Sequence, residues 1–138
     1  MAQNSEAFED FMRRREAVSI DYINGRADGL LRLSTRNDPA TFFPPSGDRI
    51  HGASRVNTAN EKGAQAFGDG STGYFEILHS SSSGDLSFWT GIQHAEVLMQ
   101  GKDEPVSMQL RTTEIFRREK GEWMLVHRHA DMTGSKRS

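Results

Sequence analysis

The stretch from Leu110 to Asp131 reads as two β-strands folded back on each other. Thr112, Thr113, Ile115, Phe116, Trp123 and Val126 are the β-branched and aromatic types that suit a pleated, half-buried surface, and Glu119-Lys120-Gly121-Glu122 between them is a polar turn. Side chains alternate along a strand. Arg111, Thr113 and Ile115 are therefore expected on one face of the first arm, and Trp123, Leu125, His127 and His129 on one face of the second. The rest of the chain has to be placed around this hairpin.

Upstream the periodicity is helical. Phe8, Phe11, Met12, Val18 and Tyr22 fall on one stripe behind a possible Ser5 cap, and Asn24-Gly25 stops the helix. A short helix over 27–34 ends at Asn37-Asp38-Pro39, and Ala40 to Phe43 is a short strand cut by Pro44-Pro45, with Ile50 and His51 resuming it. A third helix is expected over 53–67, weakened by Gly63. Strands then follow at Tyr74 to Leu78, Leu86 to Met99, Val106 to Phe116 and Trp123 to Ala130. The turns between them are Ser80 to Asp85, Gly101 to Pro105 and Glu119 to Gly121. Helices followed by a strand meander mean an α+β domain, with three helices on the concave face of a curved, mainly antiparallel sheet. A pocket between the two layers is the expected place of function.

Composition narrows the choices. The 138 residues suit one domain, ordered from about residue 5 to 132 with a short frayed tail from Gly134 to Ser138. A net charge of −2 offers no basic face for nucleic acid, and Arg13-Arg14-Arg15, flanked by Glu9, Asp10 and Glu16, reads as a solvated helix face. The chain has no cysteine, which removes disulfides and thiol nucleophiles and fits a cytoplasmic setting. No apolar run approaches the ~20 residues of a membrane span, and Met1 to Glu6 does not resemble a leader peptide.

Several stretches resemble the nuclear transport factor 2-like superfamily, in particular its SnoaL-like and ketosteroid isomerase-like members. They are Tyr22-Ile-Asn-Gly25, Asp38 to Phe43, Gly84-Asp-Leu-Ser-Phe-Trp-Thr-Gly91, and Leu110 to Arg118 with Gly121 to His129. The final Gly-x-Trp…His-x-His pattern is also similar to the association domain of calcium/calmodulin-dependent protein kinase II. The resemblance implies a cone-shaped α+β fold, usually dimeric across the outer face of the sheet. In ketosteroid isomerase an aspartate base works with a tyrosine and a protonated acid. Laid on this sequence, the base falls at Pro44, the tyrosine near Ser19 or Ile20 with Tyr22 one turn away, and the acid near Glu114. Proline takes no proton, so the fold is expected without that isomerase activity.

The candidate chemistry rests on few residues. His127 and His129 are candidate catalytic groups exchanging protons, and His94 with Glu96 or His127 with Asp131 could form an acid–base pair. Their i, i+2 spacing also suits metal ligands, with Asp131 or His94 as a third, but a structural, hydrogen-bonded role outweighs it and no metal or cofactor is expected. Arg111, followed by Thr113 on the same face, can hold a carboxylate in the pocket or pair with Glu114, Glu96 or Asp131. Tyr22, Phe42 and Trp89 are candidate pocket walls, the tryptophan first as packing. The alternative register puts Met124, Val126 and Arg128 inside and leaves His127 and His129 at a subunit contact. The expected function is binding of a small, mainly apolar molecule, with proton-transfer or hydration chemistry on it. The rival is a non-catalytic self-assembling module. The expected partners of the protein are a second copy and an unknown small molecule, not nucleic acid or membrane.

Overall fold

A computed structural model describes residues 6–133. The helices are α1 (Phe8–Tyr22), α2 (Asp28–Leu33) and α3 (Ala53–Ala64). Between α2 and α3 lie β1 (Thr41–Phe43) and β2 (Ile50–His51), and after α3 come β3 (Thr72–Ser83), β4 (Leu86–Val97), β5 (Val106–Glu119) and β6 (Glu122–Met132). One curved, unclosed sheet orders them β2-β1-β6-β5-β4-β3. Neighbours are antiparallel except β1 and β6, which run parallel from Thr41 beside His127 to Phe43 beside His129, so the sheet is mixed. No helix is long and apolar enough to cross a membrane.

The helix α1 buries Phe8, Phe11, Met12, Arg15, Val18 and Ser19, a stripe at three- and four-residue spacing. Its end is tied to the sheet by Asn24, whose side chain donates to Ile20 and Ser71 carbonyls and accepts from the Ser71 amide. The expected Ser5 cap and the tail from Gly134 onward lie outside the described residues. At the start of α3 the Ala53 amide donates to Asp38 Oδ1 at 2.7 Å, so the chain before β1 caps this helix.

Two of the three long hairpins, β3–β4 and β5–β6, close with tight turns. Ser80 to Ser83, expected as a turn, instead extend the ladder opposite Leu86 to Trp89, and the chain reverses at Gly84-Asp85 with Gly84 at φ +60°. Lys120 and Gly121 both take positive φ, the geometry that matches the twist of the flanking strands β5 and β6.

Alternation breaks down in β6. Ile115 faces His127 and Phe116 faces Leu125, which leaves Val126 unpaired in a β-bulge. The extra residue resets which side chains point inward. Trp123 and Leu125 before it are buried, Arg128 and Ala130 after it face inward, and His127 and His129 lie on the convex side. The expectation that Trp123, Leu125, His127 and His129 share a face therefore fails. The alternative register is right in placing Arg128 inside and His127 and His129 off the cavity face, but not for Met124 and Val126.

The core under α1 is aromatic. Phe11 meets Phe116 edge-on at 4.9 Å between ring centroids, Phe8 meets Trp123 at 5.7 Å, and Trp89 stacks on Phe75 at 4.5 Å. Phe11, Phe116 and Trp123 are essentially inaccessible to solvent. Phe11→Ala is expected to lower unfolding free energy by about 3–5 kcal/mol, the cost of a large cavity in a packed core, measured by urea denaturation.

Candidate functional site

The mixed sheet and the three helices border a cavity of about 460 Å³ that is open to solvent at its mouth. Its walls are apolar: Ile23, Leu30, Phe67, Ala95, Val97, Met108 and Leu110 come from helices and sheet, and Pro44, Pro45 and Ile50 form part of its lining from the β1–β2 segment. Polar groups converge from a few positions, namely Arg15, Ser19 and Tyr22 on α1, Asn60 on α3, Gln93 on β4 and Arg128 on β6, with Asp48 in the β1–β2 connection. This composition, apolar surface with a few placed polar groups, is that of small-molecule sites.

Glu114 anchors the polar side. It points inward from β5 among Thr112 and Phe116 and is fully buried. Arg15 grips it with two bonds, Nε to Oε1 at 2.9 Å and Nη2 to Oε2 at 2.7 Å. Arg128 Nη1 donates to Oε2 at 2.7 Å and Trp89 Nε1 to Oε1 at 2.9 Å. Arg128 Nη2 then reaches the Gln93 side-chain oxygen at 2.7 Å, and the Gln93 amide donates to Ser19 Oγ at 3.0 Å. Burial alone would raise the Glu114 carboxyl, but the charges of Arg15 and Arg128 and their hydrogen bonds outweigh it and hold its pKa at about 2. Glu114 is thus a permanent carboxylate at neutral pH.

The Tyr22 ring packs on Phe67, and burial pushes its hydroxyl above the usual range, with Arg128 and Arg15 opposing. The phenol stays neutral. Gly63 makes room for it: a Cβ at that position would sit 2.3 Å from the Tyr22 hydroxyl oxygen. A glycine that weakens α3 as a helix is what lets the tyrosine reach the cavity.

The candidates read from the sequence divide between two sides of the sheet. Tyr22 and Phe42 line the cavity. Trp89 is buried beneath it and serves Glu114 rather than a wall. Arg111 and Thr113 face outward: Arg111 Nε pairs with Asp131 across the strands at 2.8 Å, and Thr113 shares a hydrogen bond with Thr90 at 2.8 Å. His127 Nδ1 is 2.6 Å from Thr41 Oγ1, and Phe43 sits edge-on to both His127 and His129. Burial, then the charge of His129, pushes the His127 pKa down, with Glu114 opposing. His94 contacts Glu76 at 2.8 Å on the same outer face, rather than Glu96. Among the described residues no three His, Asp or Glu side chains come together as metal ligands.

Arg15 and Gln93 were not singled out from the sequence as pocket residues, and Arg128 entered only with the alternative register. A signal for Arg15 existed: it lies seven positions after Phe8 and four before Ser19, within the apolar stripe, although its neighbours Arg13 and Arg14 suggested a solvated run. For Arg128 the signal was hidden by the bulge.

A model of the SnoaL-like domain matches residues 16–133. The chain belongs to the SnoaL-like domain family. No curated protein sequence matches it. Among solved structures, this SnoaL-like chain is similar to a candidate dehydratase of the nuclear transport factor 2-like family from Streptomyces avermitilis, with 18% identity, TM-score 0.75, and 93% and 97% of the two chains covered. A nuclear transport factor 2-like protein of unknown function from Pseudomonas putida has 18% identity and TM-score 0.72, covering 93% of this chain and 85% of that one. The hub homology domain of calcium/calmodulin-dependent protein kinase II from Chlamydomonas reinhardtii has 16% identity and TM-score 0.72, with 94% and 100% covered. At these identities the likeness establishes the fold. Within it, Pro44 lines the cavity, and Glu114 is a charged acceptor rather than a neutral donor.

The depressed Glu114 pKa sets a sign for stability. Its contribution is fully present above the ordinary carboxyl value of 4.5 and is lost as pH falls toward about 2. Glu114→Gln is expected to cost about 3–5 kcal/mol at pH 7, because it leaves two buried guanidiniums without their carboxylate. Denaturant titrations should show the gap between wild type and variant narrowing as the pH is lowered through that window.

Proposed function

We propose that this SnoaL-like domain binds a small, mainly apolar molecule in the cavity between helices and sheet. The observation that carries the reading is a cavity of about 460 Å³, open to solvent at its mouth, with mainly apolar walls and polar groups at a few positions. If the bound molecule undergoes reaction, proton transfer or hydration is the class in view. Tyr22, kept neutral by burial, is the proton donor within the cavity, and Asp48 is the carboxylate among its lining residues. His127 and His129 lie on the convex face, so a proton-exchange role for them belongs to a site on that face. Ala95 is buried on β4 at the cavity wall. In Ala95→Phe the added ring intrudes on the apolar wall and narrows the cavity, so the saturable fluorescence of phenylnaphthylamine, a neutral apolar dye, should be weakened while the far-UV circular dichroism is kept. Equal dye binding by both proteins, or none by the wild type, would remove the reading.

A second reading concerns the convex face and is compatible with the first. Phe43, Phe88, Ile92 and Ile115 are only half-buried there, beside His127, and Tyr74 is 56% exposed while stacked on His94 at 4.6 Å. The likeness to a hub homology domain supports self-association through this surface, with Arg111, Thr113, His127 and His129 as contact residues rather than pocket residues. Ile92→Asp is expected to convert a dimer to a monomer in light scattering coupled to gel filtration. A wild-type protein monomeric at high micromolar concentration would exclude a stable dimer.

A further inference from the structure

Glu114 has no accepting capacity left. Oε1 takes Arg15 Nε and Trp89 Nε1, and Oε2 takes Arg15 Nη2 and Arg128 Nη1. One carboxylate therefore answers two guanidiniums, and the cluster holds one positive charge in excess. Among the described residues no other carboxylate lies within salt-bridge distance of either arginine. Glu16 is engaged with the Phe75 amide, and Asp48 is exposed in the β1–β2 connection. The other partner of Arg128 is the neutral Gln93 oxygen, and Arg15 Nη1 has no acceptor among the described residues. Tyr22 supplies no negative charge either, since its hydroxyl stays protonated. A buried guanidinium without a full counter-charge is costly, and Arg128, whose side chain is 15% exposed, borders the cavity with N–H groups to spare.

We propose that the cavity selects molecules that join an anionic head of the carboxylate type to an apolar body. The head lies beside Arg128 and the Tyr22 hydroxyl, and the body among Ile23, Val97, Met108 and Leu110. A carboxylate matches the planar guanidinium fork, and in a site of low dielectric it completes the charge balance that Glu114 leaves open. The opposite end is open to variation, because the remaining walls recognise shape rather than charge. This rests on the reading that the cavity takes a small molecule at all.

Two dyes with a common aromatic body separate the claims: phenylnaphthylamine is neutral, and anilinonaphthalene sulfonate adds an anionic group. The wild type is expected to bind the sulfonate at least about tenfold more tightly than the neutral dye, with octanoate displacing either dye at about tenfold lower concentration than octanol, as one added charge-assisted contact provides. In Arg128→Met the ratio between the dyes should fall to about one. Equal affinities in the wild type, or an advantage that persists in Arg128→Met, overturn the anionic head while leaving the cavity as a binding site. Failure of both dyes overturns the cavity reading together with this one. Should Arg128→Met not fold, the comparison of octanoate with octanol on the wild type decides, equal displacement being the outcome against the inference.

Discussion

The fork between Arg15 and Glu114 is the contact on which the interior of this protein depends. It joins the helix that enters first to a strand about a hundred positions later, and it does so with two parallel hydrogen bonds inside a solvent-free layer. Trp89 and Arg128 complete the accepting capacity of the carboxylate, whereas Arg15 Nη1 stays without an acceptor among the described residues. The aromatic core lies on one side of this cluster and the cavity on the other. The same charged group therefore helps seat α1 on the sheet and gives the hollow a charged flank. That economy explains why residues lining the cavity are also residues the fold cannot easily lose.

Most of the architecture was legible because its signals are periodic. Helix spacing in the first third, alternation in the last and turn chemistry between them are enough for an α+β order, and Gly84-Asp85 and Lys120-Gly121 both carried the positive-φ chemistry of tight hairpins. Ser80 to Ser83 misled because serines favour turns locally, yet on an edge strand they are simply exposed members of a long ladder. The parallel seating of β1 on β6 had no local signature at all, being a matter of which edge remains free once the meander has formed.

The site was less legible than the fold for a specific reason. A single unpaired residue, Val126, exchanges the faces of everything after it, so two histidines and an arginine traded places between cavity and exterior. Bulges leave little trace in composition. Arg15 was hidden differently, by neighbours that share its charge but not its environment, and only its place in the helical repeat marks it out. Gly63 shows the converse: a residue that looks like a flaw in α3 is explained by a hydroxyl from another helix.

The short β1–β2 pair has a consequence for access. These strands hold two cross-strand partners between them and attach to the sheet by three more, and the connection from Pro44 to Asp48 helps line the cavity. The ladder of this pair is brief, which makes it a cheaper part of the sheet to unzip, although Phe42 and Ile50 pack against Ala40, Ala53 and Val56. Passage into the interior therefore need not disturb the charged cluster or the aromatic layer. The fold thus joins one rim able to fray locally to long hairpins that stay closed.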